Sequence, residues 1–109
     1  MTKYLFIESR DPFDSRDVGF VADTAVHLKQ HGHDVTVFLM QNGVLAARKN
    51  AKLSCLGQLA EAEVRVLADD FSLGERGIRR AELHSVVNQS NVDALVDMLV
   101  DENTKAIWH

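Results

Sequence analysis

Runs of consecutive apolar residues alternate with longer amphipathic segments along the chain. Two of these runs, at residues 4–8 and 34–40, have the length and composition typical of strands buried on both faces. Between them, apolar residues recur at spacings of three and four, which predicts a helix with one buried face: Val18, Val21, Ala25 and Leu28. We expect Asp14 or Ser15 as its N-cap and Gly32 at its end. The pattern predicts a strand–helix–strand unit with parallel strands.

The same alternation continues in the second half of the sequence. Residues 44–62 predict one or two helical pieces, with Leu53, Leu56 and Ala60 on one face. Further strands are expected at residues 64–68, 83–87 and 104–108. A short helix is expected within residues 72–80, and a loop at 88–90.

A last helix is predicted over residues 91–100, with Val92, Leu95, Val96 and Leu99 facing inward. Five strands that alternate with helices predict one three-layer α/β domain over residues 1–109, with a five-stranded, mostly parallel sheet.

Composition narrows the class of protein. A chain of 109 residues that is 46% hydrophobic and 26% charged can bury roughly two thirds of its unfolded surface, without disulfides or a structural metal. The formal net charge of −4, with no block of Lys or Arg, argues against binding to nucleic acid or to an anionic membrane. The first apolar run is too short for a signal peptide or a membrane span, so we expect a cytoplasmic protein.

The loops that follow parallel strands meet at one edge of the sheet, where ligands bind in open α/β folds. Three stretches should meet there, at residues 9–11, 41–43 and 69–77. The candidate site residues are Gln41, Asn42, Gly43, Asp69, Asp70, Ser72, Arg76 and Gly77. They would bind a small polar group or the loop of a partner. The simpler interpretation of Asp69, Asp70 and Ser72 is a cap for the helix that follows.

Other site chemistries fit less well. The first strand is not followed by the glycines of a phosphate-binding or dinucleotide-binding loop. Glu8, Asp11 and Asp69 loosely match a phospho-acceptor receiver, but Lys105 begins its strand instead of ending it. The spacing of His27 and His31 would suit a shared metal, yet histidines in the last turn of a helix also suit its dipole. We predict no metal site and no cofactor.

Cys55 is the single cysteine, so the chain has no internal disulfide. Among the leucines of a predicted helix, it is typical of a small buried hydrophobe. A reactive thiolate would need a cation or a helix N-terminus to lower its pKa, and Arg48 and Lys49 are close in the sequence. Both interpretations remain open.

Three segments, GHDVTVFLMQNGVLAA, EVRVLADDFSLGERGI and TKAIWH, resemble the DsrE/DsrF/DsrH-like (TusBCD-like) family of small sulfur-relay proteins, over nearly the whole chain. The resemblance implies a flavodoxin-like fold, homo- or hetero-oligomers with related subunits, and transfer of persulfide sulfur to a partner carrier protein. It also implies an acceptor cysteine at the end of the third strand. Counting back from Gly77 places Asp69 at that position, and a carboxylate cannot form a persulfide.

The resemblance therefore predicts an accessory, non-transferring subunit of an oligomer, with a strand-end cleft used for recognition. Two alternatives stay open: a sulfurtransferase that carries persulfide on Cys55, and a module that binds a small molecule or anion in the same cleft. Phe13, Phe20 and Phe71 lie near turns or off the predicted core faces, which favours contact with a partner subunit.

Overall fold

A five-stranded sheet, in which every neighbouring pair of strands is parallel, forms the centre of the fold. The computed structural model describes residues 2–51 and 54–109. The strands are β1 (Lys3–Glu8), β2 (Asp34–Leu39), β3 (Arg65–Asp69), β4 (Val87–Ser90) and β5 (Thr104–Trp108), in the spatial order β4-β3-β2-β1-β5. The predicted α/β architecture with a parallel sheet is confirmed.

In the described residues, four α-helices connect the strands: α1 (Asp17–Gln30), α2 (Leu56–Glu61), α3 (Asp70–Glu75) and α4 (Val92–Leu99). The predicted N-cap of the first helix is wrong. Arg16 holds that position without a side-chain hydrogen bond, and Asp14 and Ser15 belong to the preceding turn, in which their backbone N–H groups donate to the carbonyl of Asp11. The helix is followed, as predicted, by Gly32, which has a φ of +88° that favours glycine.

The predicted helical stretch at residues 44–62 divides into two pieces. A 3₁₀ helix at Gln41–Ala47 begins two residues after the end of β2, and α2 begins nine positions after the end of that 3₁₀ helix. Leu53, expected on the helix face, lies outside the described residues. No helix of the described chain is long and apolar enough to cross a membrane.

The two faces of the sheet are covered unequally. One face packs against α1 and α2 in the larger core cluster, which includes Phe6, Val37, Ala25 and Leu59. The other face packs against α4 in a smaller cluster of four buried residues, Leu5, Ile7, Phe38 and Leu95. The expectation that α4 buries four apolar residues is wrong, because Leu95 is buried while the other three are exposed.

The predicted fourth strand at residues 83–87 is also wrong, since β4 begins at Val87 and occupies the whole stretch predicted as a loop, residues 88–90. Leu83 instead forms an isolated antiparallel bridge with Arg48 and packs its side chain into the larger cluster. As an edge strand, β4 buries only Val87 and leaves Asn88 and Gln89 exposed. An edge position does not require the apolar run on which the prediction relied.

Candidate functional site

A cleft of about 400 Å³ lies at the carboxyl edge of the sheet. It is formed by the loops after β1 and β2, by the end of β3, by α3 with the residue that follows it, and by the first residue of α4. Its lining residues are Ser9, Met40, Gln41, Asn42, Asp69, Phe71, Ser72, Glu75, Arg76 and Val92. The three stretches expected to meet therefore do so.

Asp69 and Ser72 form the floor of the cleft. The backbone N–H and the hydroxyl of Ser72 donate to Oδ2 of Asp69, at 2.9 and 2.7 Å. Asp69 is 2% exposed and Ser72 is 4% exposed. The carboxylate thus caps α3, in agreement with the simpler interpretation of this stretch.

The second carboxylate oxygen of Asp69, Oδ1, differs from Oδ2 in its hydrogen bonding. Oδ1 is buried, and no group among the described residues forms a hydrogen bond with it. Buried polar atoms are nearly always paired, so an unpaired acceptor on a residue that lines a cleft requires a physical explanation.

Ser72 also fixes the loop that follows β2. Its Oγ accepts a hydrogen bond from the backbone N–H of Gln41 at 2.8 Å. Gln41 has a φ of +51°, in the left-handed region that non-glycine residues rarely adopt. A single hydroxyl therefore couples the strained loop to Asp69 and to α3.

Arg76 closes one side of the cleft. Its Nε and Nη2 donate to Oδ1 of Asn42, at 3.2 and 3.0 Å, and its Nη1 donates to the carbonyl of Ser72 at 3.1 Å. The charged groups of the lining are the carboxylates of Asp69 and Glu75 and this one guanidinium. The cleft carries a net charge of one negative unit when all three are ionised.

The remaining candidate residues lie around the cleft without lining it. Asp70 is exposed in the first turn of α3, and Gly77 follows that helix with a φ of +65°. Gly43 is buried against the backbone of β1, where an added Cβ would lie 2.2 Å from the carbonyl oxygen of Glu8. The structure thus gives the two glycines a backbone role.

Glu8 and His109 form a carboxylate–imidazole pair beside the cleft, which the sequence pattern did not predict. Nδ1 of His109 lies 2.9 and 2.8 Å from the two carboxylate oxygens of Glu8, which is 2% exposed. The backbone N–H of Arg10 also donates to Oε2 of Glu8, at 3.1 Å. The register of β1 and β5 places Ile7 opposite Trp108, so Glu8, the last residue of β1, lies beside His109, the residue that follows β5.

Cys55 lies away from the cleft. It is half-buried at the N-cap of α2 and borders a small apolar cavity, of which Glu8 is the only charged lining residue in the described part of the chain. Burial raises the pKa of the Cys55 thiol, and the carboxylates of Asp23 and Glu8 raise it further. The thiol is therefore held in its protonated, weakly nucleophilic form.

The histidines at and after the end of α1 make contacts within the protein. Nδ1 of His31 lies 2.7 Å from the carbonyl oxygen of His27, and the ring of His33 packs edge-on against Tyr4. Across residues 2–51 and 54–109, no group of three or more His, Cys, Asp or Glu side chains is placed to hold a metal ion.

Comparisons with known proteins agree on the fold. A model of the DsrE/DsrF-like family matches residues 2–105. The YchN protein of E. coli has a TM-score of 0.88 and 19% identity, with 100% of both chains covered. MTH1491 from Methanobacterium thermoautotrophicum has a TM-score of 0.85 and 19% identity, again over 100% of both chains. BT1422 from Bacteroides thetaiotaomicron has a TM-score of 0.74 at 14% identity, over 97% of this chain and 94% of the other. No curated protein matches the sequence significantly.

Proposed function

The chain belongs to the DsrE/DsrF-like family, and from this premise we propose that it is an accessory, non-transferring subunit of a sulfur relay. In this role the protein carries no sulfur itself. Its strand-end cleft recognises a group on a partner, either a related subunit or a sulfur-carrier protein. We place this activity in the cytoplasm.

The observation that carries the proposal is the chemistry of Asp69. It ends β3 and lines the cleft, at the strand end where the family resemblance puts the acceptor cysteine. A carboxylate has no sulfur on which a persulfide could form. Its Oδ2 is already committed to two hydrogen bonds with Ser72, which supports a structural and recognition role.

The alternative of a transferase that uses Cys55 has less support. Accepting sulfur from a polysulfide requires a thiolate, and the raised pKa of Cys55 opposes its formation. The thiol also borders an apolar cavity instead of the cleft. A partner's cysteine would therefore have to reach a half-buried group at a second place on the molecule.

Intact mass after exposure to polysulfide, before and after reduction, tests the non-transferring role. The native wild type and the Cys55→Ser variant are expected to gain no reducible sulfur. The matched positive control is Asp69→Cys in the Cys55→Ser background, which restores a thiol at the strand end and is expected to gain one sulfur atom. Reducible sulfur on Cys55 of the native wild type, passed on to an acceptor thiol, would contradict the proposal.

The subunit role has its own test. Phe13, Phe20 and Phe71 are largely exposed, as their places in the sequence predict, and apolar groups of this size are typical of contact surfaces. We expect light scattering at micromolar concentration to give a mass larger than that of one chain, alone or with a related subunit. Strict monomers under both conditions would remove the subunit role while leaving the sulfur-loading result intact.

A further inference from the structure

We infer that the cleft binds a primary ammonium group carried on an alkyl chain, with the ammonium donating a hydrogen bond to Oδ1 of Asp69. This inference rests on the proposed recognition role of the cleft and specifies what is recognised. It follows from three features of the cleft: an unpaired acceptor, the sign of the net charge, and an apolar rim.

The unpaired acceptor is Oδ1 of Asp69. Asp69 is only 2% exposed. Its other oxygen, Oδ2, already accepts hydrogen bonds from the backbone N–H and the hydroxyl of Ser72. Oδ1 has no partner within the described chain, although Asp69 is part of the cleft wall. An ionised carboxylate oxygen can only accept hydrogen bonds, so the complementary ligand group must be a donor.

The net charge of the cleft favours a cationic hydrogen-bond donor over a neutral one. Arg76 is engaged by Asn42 and by the carbonyl of Ser72, so its guanidinium does not reach over to Asp69 as an ion-pair partner. With Glu75 also in the lining, the ionised groups sum to one negative charge. A cation with one charge balances the site, and a charge-assisted hydrogen bond is stronger than one from a neutral amide. An anionic persulfide would meet a like charge at this oxygen.

The apolar rim of the cleft favours an alkyl chain as the rest of the ligand. Phe71, Met40 and Val92 line the same cleft, and Phe71 is 68% exposed. An alkyl chain that leads to the ammonium group would remove part of this apolar surface from water. Lysine side chains combine an ammonium head with such a chain, and so do free alkylamines. The shared chemistry is an alkylammonium ion, from a partner's lysine or from a small molecule.

The test is a titration of the full-length protein at constant salt with n-butylammonium chloride, followed through the backbone NMR signals of residues 69–76. We expect saturable shifts confined to the cleft. Asp69→Asn keeps the capping oxygen but removes the charge, and it should weaken binding by about tenfold or more. Asp70→Asn is the matched control, because it removes the neighbouring exposed carboxylate, which does not line the cleft, and should change binding by less than about twofold.

A second variant keeps the inference testable if Asp69→Asn does not fold. Phe71 is exposed, so Phe71→Ala should fold normally. In the wild type, affinity should rise with chain length from ethyl- to hexylammonium, by up to about fourfold for each methylene that becomes buried. Phe71→Ala should reduce this increase.

Several results would overturn the inference. They are no saturable shift at the cleft of the folded wild type, equal binding by Asp69→Asn, equal binding of the uncharged n-butanol, or a chain-length dependence that Phe71→Ala leaves unchanged. Comparing n-butylammonium with a capped lysine distinguishes the two sources: tighter binding of the lysine indicates a partner polypeptide, and exclusion of the lysine with retention of the amine indicates a small molecule. None of these outcomes depends on sulfur loading, so the inference and the non-transferring role can fail separately.

Discussion

Nδ1 of His109 lies 2.9 and 2.8 Å from the two carboxylate oxygens of Glu8, although the residues are 101 positions apart in the sequence. The pair joins the segment after β5 to the end of β1. The backbone reinforces the link, because the N–H of His109 donates to the carbonyl of Ile7 and the N–H of Ser9 donates to the carbonyl of His109, both at 2.9 Å. A protonated Nδ1 is a donor to Glu8 in the neutral ring and in the imidazolium ion.

Removing the imidazole should destabilise the fold. In His109→Ala the buried carboxylate of Glu8 keeps the N–H of Arg10 as a donor and loses its side-chain partner, at a cost of about 1–3 kcal/mol in the free energy of unfolding. Urea denaturation of the variant and the wild type measures this difference in the free energy of unfolding. His27→Ala, at an exposed position of α1, is the control and should change stability by less than about 0.5 kcal/mol. Equal effects of the two substitutions would show that the buried pair contributes nothing.

Gly43 should not tolerate a methyl group. A Cβ at this position would lie 2.2 Å from the carbonyl oxygen of Glu8, and both partners belong to backbone that cannot yield without disturbing β1. We expect Gly43→Ala to lower the free energy of unfolding by about 3 kcal/mol. Gly74→Ala, in α3 with no atom within 4 Å of the added Cβ, should instead be neutral or stabilise by about 0.5–1 kcal/mol. A Gly43→Ala protein as stable as the wild type would contradict the close approach.

Ser72→Ala should release the loop at Gln41. The substitution removes the hydroxyl that accepts from Gln41 and donates to Asp69, which should cost about 1–2 kcal/mol. With that bond lost, Gln41 should relax from its φ of +51°, and three-bond backbone couplings in NMR spectra report the change. Ser85→Ala, on an exposed turn, is the control. An unchanged coupling at Gln41 would show that another contact holds the loop.

Asp101 should make stability depend on pH. The backbone N–H of Asn103 and then the side chain of Lys3 lower the pKa of this carboxyl in the folded protein. Its stabilising contribution is therefore present above the unfolded-state pKa and is lost as the pH falls through the folded-state pKa. We expect Asp101→Asn to be less stable than the wild type near neutrality and equally stable in strong acid, by urea denaturation. Glu102→Gln, its exposed neighbour, should show no such pattern, and a pH-independent difference for Asp101→Asn would refute the linkage.

Cys55 should react slowly with thiol reagents. Its pKa is raised, first by burial and then by Asp23 and Glu8, so the native protein contains less thiolate than a free cysteine at neutral pH. The modification rate should increase with pH along a curve displaced to higher pH relative to the urea-unfolded protein. Asp23→Asn should shift this curve toward lower pH, since it removes one of the raising charges. A native rate above that of the unfolded chain would contradict the buried, protonated state.

The sequence was sufficient where burial on both faces produces dense apolar runs. The three central strands, β1 to β3, were placed to within one or two residues, and their order of succession was enough to bring Gln41, Asn42 and Asp69 to one edge. Edge strand β4 could not be placed, because three of its four residues are polar and only Val87 is buried. The other edge strand, β5, was predicted at its observed residues, 104–108, because it retains the apolar residues Ala106, Ile107 and Trp108, although these side chains are exposed. A local pattern identifies an edge strand only where such a run is present.

Other features of the site depend on long-range geometry. The pairing of Glu8 with His109 follows from the position of β5 beside β1, which no local pattern reveals. That Asp69 caps α3 was predictable from its place before Ser72, whereas the lack of a partner for its second oxygen was not. The sidedness of α4 also escaped prediction, since an apolar stripe indicates a buried face only when something lies against it.

The position of β1 between β2 and β5 has a consequence for how the protein is made. β1 can pair with β2 early in synthesis, but its other edge waits for Thr104–Trp108, the fifth strand in chain order. At a synthesis rate of about 5–20 residues per second, the ribosome needs several seconds to produce the intervening chain. Throughout that interval β1, an apolar strand of the interior of the sheet, has one edge without a paired strand. The nascent chain is therefore vulnerable to aggregation until β5 emerges.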